Sequence, residues 1–337
     1  VNVHDLQTPA LLVDAAALDH NLATMAAALP GSRMRPHVKA HKTSALAARQ
    51  AAAGHTGFTC ATIREAEVLA HAGSNLGNDI LLANEVVDAC RLGALVQADQ
   101  ARVTLAVDSE ATIEAAAQGG VREVVIDVNV GLPRCGCPPA EAGRLAEVAR
   151  AHPHRLTVRG VMGYEGHVVG LPDREARVTQ TEECMARLLQ AHADVGGELV
   201  SAGGTGTYDI NTWANEIQAG SYALMDTAYG HLDLPFRQAL TVLATVISVS
   251  DGWAVADCGL KSSGMDHGNP SIDGAAVWFL SDEHVTFSAD SAPLPHVGDR
   301  VHFIPAHVDP TVAYHERLYL VDGEDVIETW PIDMRGW

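Results

Sequence analysis

From residue 11 to about 230, short β-branched runs alternate with Ala-, Leu- and Glu-rich stretches in which an apolar residue returns every three or four positions. The runs 10–14, 34–40, 57–61, 79–83, 103–107, 123–130, 157–164, 198–204 and 216–226 read as strands. The segments 15–29, 43–53, 62–72, 85–97, 109–118, 139–151 and 173–195 read as amphipathic helices. Strands alternating with helices imply a parallel sheet with right-handed crossovers. About eight such units in this length fit an α/β fold of the (β/α)8 TIM-barrel type better than an open sheet. No G-x-G-x-x-G follows the first strand, so a dinucleotide fold loses its main support. After Pro235 the period falls to two, in LTVLATVISVSDGWAVADCG, AAVWFLSDEHVTFSA, GDRVHFIPAHV and ERLYLVDGEDVIETW. The expected organisation is a barrel over 11–235 followed by a C-terminal all-β domain over 236–337, with residues 1–10 adding an N-terminal strand to the latter.

Charge narrows the partners. Asp and Glu number 42 against 22 Lys and Arg, a net charge of −20. Phosphate backbones and anionic lipid surfaces are bound by clustered cations, so nucleic acid and membrane are excluded as partners. No apolar run approaches the roughly 20 residues that span a bilayer, and VNVHDLQTPALL has neither a basic nor an apolar leader segment. The six scattered cysteines, with Cys135 and Cys137 as a lone C-x-C, read as reduced thiols of a cytoplasmic protein.

The bases carry more information than their sum. Only three of the 22 are lysines (Lys39, Lys42 and Lys261), and two of these stand in one segment, PHVKAHK. Lys39 ends the second expected strand, where barrel enzymes place their working residues. A partly desolvated amine there is nucleophilic; the ordinary alternative is a surface lysine at a helix start. SAGGTGTYD follows a late strand, and its glycines, with Thr205 and Thr207, let backbone N–H groups approach an anion. Gly220, Ser221 and Tyr222 end the next short strand and could complete a phosphate cup; a plain tight turn is the competing reading. An amine and a phosphate cup on one rim suit pyridoxal 5'-phosphate, although an aldolase acting directly on a sugar phosphate would use the same parts.

His307 and Asp309, in HVD, stand two apart at an expected strand end, which would put both side chains on one face and let them grip a divalent ion. Arg134, in NVGLPRCG, could donate to the phenolate of a pyridoxal ring. Tyr164 and His167, in GYEGH, could stack on that ring and serve as a base; core packing and helix capping are the alternatives.

TPALLVD, RPHVKAHK, GYEGH, GGTGTYD, EIQAGSY and HVDPT, in this order, resemble the D-threonine aldolase and D-serine dehydratase family of fold-type III pyridoxal phosphate enzymes, which have an alanine-racemase-like barrel and a β domain. The resemblance runs from about residue 7 to about 330. It implies that Lys39 carries the cofactor as a Schiff base and that Gly204, Thr205, Gly206, Ser221 and Tyr222 surround its phosphate. It also implies a divalent metal on His307 and Asp309, and a homodimer. Within the family H-x-D marks the aldolases and H-x-C the dehydratases. Asp309 therefore implies an aldolase that cleaves D-3-hydroxy-amino acids to glycine and an aldehyde. Its carboxylate favours Mn²⁺ or Mg²⁺ over Zn²⁺. GYEGH departs from the AYHG of the aldolases, as SDEHV does in lacking a glycine after its histidine.

Overall fold

A computed structural model of the chain describes residues 1–73, 76, 79–289 and 293–337. By its contacts the chain divides into two units. One comprises Val1–Thr24, Ala40–Ala45 and Ser221–Asp333; the other comprises Met25–Lys39, Leu46–Gly220 and Met334–Trp337. The hydrophobic pattern alone drew the boundary at Pro235.

The chain opens with strand β1 (Ala10–Asp14) and helix α1 (Ala15–Ala28), and α2 (Ser44–Ala52) follows. Seven parallel strands then build the larger unit: β2 (Gly57–Cys60), β3 (Asp79–Leu82), β4 (Arg102–Val107), β5 (Glu123–Asp127), β6 (Thr157–Met162), β7 (Leu199–Ala202) and β8 (Glu216–Ile217). They pair in sequence order. Between them run α3 (Ile63–His71), α4 (Cys90–Gln97), α5 (Glu110–Gly119), α6 (Ala142–Ala151) and α7 (Arg174–Val195). The strands are apolar on both faces, as a parallel sheet covered by helices requires, and Leu81, Ala106, Val125 and Met162 pack into one cluster. Helix starts follow the sequence closely. Thr62 with Glu65 and Ser109 with Thr112 form reciprocal caps, and Gly120 ends α5 in the left-handed region.

Residues 34–37 occupy the eighth position of the barrel without forming a continuous strand. Met34 bridges Ile217 and His37 bridges Thr59, both in parallel sense. Arg35 N and His37 N donate to Ile217 O and Ala219 O, and Thr59 N donates to Pro36 O. Pro36 has no N–H to give, so the expected strand over 34–40 is reduced to these few bonds.

An ion network built on the buried Arg35 and Arg159 guanidinium groups lies at the N-terminal ends of the barrel strands. Arg35 donates to Glu216 at 2.9 Å and to Asp79 at 3.1 Å, and Arg159 donates to Asp79 at 2.8 Å and to Glu198 at 2.8 Å. Burial alone would raise the Asp79 carboxyl. The Arg159 hydrogen bond and the charge of Arg35 outweigh it and hold Asp79 down to about 2. A depressed carboxyl contributes stability that is complete above its unfolded value of about 4 and is lost as pH falls towards 2, here about 2 kcal/mol. Asp79→Asn is therefore expected to lower the urea midpoint at pH 6. The gap to wild type should narrow towards pH 2.5. A gap independent of pH would exclude the ion pairs as its cause.

The other unit is a β domain. Its strands are β1, β9 (Leu240–Ser250), β10 (Trp253–Ala256), β11 (Ala275–Leu280), β12 (Val285–Ala289), β13 (Arg300–Phe303), β14 (Arg317–Asp322) and β15 (Asp325–Pro331). They lie in the order β11-β12-β10-β9-β1-β14-β15, with β13 also on β9. Residues 10–14 are thus not the first barrel strand: β1 runs antiparallel to β9 and parallel to β14, and its Leu12 packs with Val3, Leu6, Leu243 and Val321. Asn2 bridges Asp325, so the N-terminus does pair within this domain. The short helix α8 (Thr227–Gly230) precedes β9, and α9 (Val308–Tyr314) interrupts the all-β pattern expected over 236–337. Among the described residues no helix is long and apolar enough to cross a membrane.

Candidate active site

Lys39 lies in a short 3-10 turn, Val38–Ala40, directly after the segment that closes the barrel, and is half-buried. Its own N–H donates to His37 Nδ1 at 3.4 Å. His41 is fully buried and accepts from Thr43 N at 3.3 Å through Nδ1. Lys42 adopts a positive φ of 50° in the turn that leads into α2. The two imidazoles flanking Lys39 were not singled out from sequence, although the alternation H-x-K-x-H was visible.

At the C-terminal end of β7 the chain makes the glycine-rich turn. Gly203 has φ +83°, and a Cβ on Gly206 would lie 1.7 Å from Val169 O, so a bare backbone is required at 206. Thr207 N and Gly204 O close the turn at 3.1 Å, and Gly204 N donates back to the Thr207 hydroxyl at 3.2 Å. Glu165, from the end of β6, is fully buried beneath it. Its Oε2 accepts from Gly203 N at 3.1 Å. Its Oε1 accepts from the Thr207 hydroxyl at 2.9 Å and from Asn211 Nδ2 at 3.1 Å.

Tyr164 precedes Glu165, and its ring faces Gly204: a Cβ there would meet Cε2 at 3.4 Å. The Arg134 guanidinium stands 5.5 Å over the same ring. Arg134, Tyr164 and Gly204, from the ends of β5, β6 and β7, are thus brought together. His167 is placed differently. Its Nε2 lies 3.8 Å from Cys184 Sγ on α7, and its ring packs where a Gly131 side chain would otherwise stand.

The C-terminal ends of β3, β4 and β5 bring together the acids Glu85, Asp108 and Asp127, which sequence patterning does not single out. Cys137 N donates to Asp127 O and Gly136 N donates to Asp108 Oδ2. Burial pushes the Asp127 carboxyl well above the usual carboxylate range, and the charge and hydrogen bond of Glu85 add to this. The Cys135 thiol, hydrogen-bonded to Glu85, is pushed up to about 11, and burial pushes Cys137 up to about 12. Neutral thiols of this kind are poor nucleophiles. None of the six cysteines forms a disulfide.

Ser221 and Tyr222 belong to the β domain. They form a 3-10 turn, Ser221–Ala223, in which Tyr222 is fully buried against Phe236 with ring centroids 5.6 Å apart. The same domain contains the expected metal residues, in a geometry that corrects the expectation of a strand. His307 caps the N-terminus of α9, and Asp309 lies in its first turn. Pro310, in that first turn, has no N–H for a ladder and suits a helix start. Val308 N donates to Asp226 at 2.8 Å, and the Thr311 hydroxyl donates to His307 O at 2.8 Å, so the backbone on both sides of the imidazole is fixed. Burial pushes the Asp226 carboxyl up to about 6.

His307 Nε2 is 3.8 Å from Asp309 Oδ1, and its Nδ1 is 2.6 Å from Asp266 Oδ2. His267 stacks on His307 at 4.3 Å. Asp266, His267 and His307 form the one cluster of three metal-type ligands among the described residues. Burial would raise the Asp266 carboxyl, but the His307 hydrogen bond and charge bring it below its ordinary value. An imidazole with one nitrogen on a carboxylate and the other facing a second oxygen ligand is an arrangement recurrent in metal sites. The 3.8 Å gap is too wide for a hydrogen bond and suits two ligands of one ion.

A parallel barrel with a half-buried amine at one strand end and a glycine-rich turn at another, followed by a β domain, defines the class of alanine-racemase-like enzymes that carry pyridoxal phosphate. Residues 13–228 match the family model described as alanine racemase, N-terminal domain, and residues 239–321 match that of the putative serine dehydratase domain. A D-threonine aldolase of Arthrobacter sp is 33% identical, with 98% of this chain and 93% of that protein covered. A 3-hydroxy-D-aspartate aldolase of Paracoccus denitrificans is 32% identical over the same shares of both chains. The crystal structure of a D-threonine aldolase from Filomicrobium marinum superposes with a TM-score of 0.91 at 34% identity, covering 100% of this chain and 98% of the other. The chain belongs to the D-threonine aldolase and D-serine dehydratase family.

Proposed function

We infer that the protein is a pyridoxal phosphate-dependent lyase, an aldolase that cleaves D-3-hydroxy-amino acids of the D-threonine type to glycine and an aldehyde. Relatives named as aldolases, similar over nearly the whole chain, support the reaction class. The observation that carries the choice within the family is the carboxylate two residues after His307, with Oδ1 3.8 Å from Nε2. The proposal includes a divalent ion at His307 and Asp309, with Mn²⁺ or Mg²⁺ favoured by the hard oxygen donor and Zn²⁺ compatible with the imidazole. It also includes a homodimer and a cytoplasmic location, in keeping with thiols that form no disulfides.

The residues present fit the cofactor. A bare-backbone turn at Gly206 suits an anion, Lys39 offers a primary amine, and Arg134 stacked on Tyr164 offers a cation near the same turn. Pyridoxal phosphate, when bound, supplies a sink for the electron pair released at Cα. Lys39 would hold the cofactor through its aldehyde, as the primary amine at the barrel rim. Gly204, Thr205 and Gly206 hold the phosphate, with Ser221 and Tyr222 proposed to assist. Arg134 donates towards the ring oxygen, and Tyr164 keeps the guanidinium in place. His307 and Asp309 would hold a divalent ion, which would supply a Lewis acid for the substrate 3-hydroxyl. Asp266 accepts a hydrogen bond from Nδ1–H of His307 at 2.6 Å and so leaves Nε2 as the ligand atom. His167 is assigned the hydroxyl proton. Its contact with Cys184 is weak and costs little to exchange.

Incubation with D-threonine decides the chemistry. Glycine and acetaldehyde in equal amounts are the expected products. Formation of 2-oxobutanoate and ammonia would make the enzyme a dehydratase instead.

A further inference from the structure

We propose that Glu165 is a positioning residue that shapes the 203–207 turn for the cofactor phosphate, an inference that rests on the assignment of that turn as the phosphate site. Three donors from three points of one loop converge on this fully buried carboxylate: Gly203 N, the Thr207 hydroxyl and Asn211 Nδ2. Neither end of the loop is loose. Gly204 N reaches back to the Thr207 hydroxyl, Ala214 N donates to Asn211 Oδ1, and Asn211 Nδ2 also contacts Met185 Sδ at 3.2 Å. The carboxylate therefore ties the first residue of the turn to its fourth and eighth followers, and it does so from below.

Charge decides what kind of role this is. Glu165 carries the same sign as a phosphate, so direct attraction cannot explain its place beside a phosphate turn. Its contribution runs through the backbone. By consuming the Gly203 N–H and the Thr207 hydroxyl, it holds Gly204, Thr205 and Gly206 in one conformation, and the site is then shaped before any ligand arrives. A carboxylate is acceptor-only, which matches three donors. Glutamine is not equivalent. Wherever its NH₂ is turned, it faces at least one N–H, either that of Gly203 or that of Asn211, and a buried donor loses its partner. The side chain is close in volume, so the change tests the hydrogen bonds rather than packing.

The test compares two ligands on the full-length chain freed of cofactor, read by tryptophan fluorescence quenching and by the colour of the Lys39 adduct. Pyridoxal forms the same bond to Lys39 as pyridoxal phosphate and lacks only the phosphate. Glu165→Gln is expected to raise the Kd for pyridoxal phosphate about tenfold or more and to change that for pyridoxal less than about twofold, so the preference for the phosphorylated ligand collapses. Thr207→Val should act in the same direction and Thr207→Ser should restore wild-type preference; this pair carries the test if Glu165→Gln does not fold. An unchanged preference in both Glu165→Gln and Thr207→Val would overturn the proposal while leaving the phosphate assignment intact. A wild-type protein that binds pyridoxal as tightly as pyridoxal phosphate would overturn the phosphate assignment itself. A purely structural role, which also overturns the proposal, would weaken both ligands equally and lower the melting temperature of the cofactor-free chain.

Discussion

Lys39→Ala is expected to abolish the visible absorbance of the cofactor adduct and to cut turnover by roughly a thousandfold or more, about 4 kcal/mol of transition-state stabilisation. Lys39 is the only lysine in an unusually lysine-poor chain that ends a barrel segment; Lys42 sits in a left-handed turn, and Lys261 is exposed and paired with Glu283 at the surface. Lys39→Arg separates charge from chemistry, because a guanidinium keeps the cation but forms no Schiff base. It should be as inactive as the alanine variant. If Lys39→Ala retained the absorbance of wild type, the assignment of this amine would be wrong.

The second large effect is expected from the proposed metal ligands His307 and Asp309. Chelation should abolish turnover, and added Mn²⁺ should restore it in wild type but not in His307→Ala. Asp266→Asn is a finer probe of the same geometry. Its amide still accepts from His307 Nδ1–H but lacks the charge, so metal affinity is expected to fall about 10- to 100-fold with kcat largely recovered at saturating metal. Full activity of His307→Ala after exhaustive chelation would remove the ion from the reaction.

Much of the barrel was legible because its signals are local. Helices α3, α5 and α7 begin at side-chain caps and follow a clear period, and the buried parallel strands are short apolar runs. What local pattern cannot state is which sheet a strand joins. β1 reads like any barrel strand, and only its pairing with β9 and β14, more than 200 residues away, puts it in the β domain. Pro36 blurs the eighth barrel position, and H-x-D alone reads as strand geometry because only the following Pro310 signals the helix start. Among site residues, Lys39 stood out by rarity and the 203–207 turn by its glycines. Asp266 and His267 did not, since they meet His307 across 41 residues of chain. Glu165 was visible as a lone acid in an apolar strand end, yet its partners lie 38 to 46 residues further on.

The barrel wall is a ring whose closing link, residues 34–37, leads directly into the turn that contains Lys39. Three backbone hydrogen bonds and two isolated bridges hold residues 34–37 between β8 and β2. Loosening this link would displace Lys39 as well, so under the proposed attachment at Lys39, keeping the cofactor and keeping the wall shut are one linked equilibrium. Whatever binds only the closed ring stabilises it by mass action, and a cofactor held at Lys39 would thereby become part of what holds the fold together.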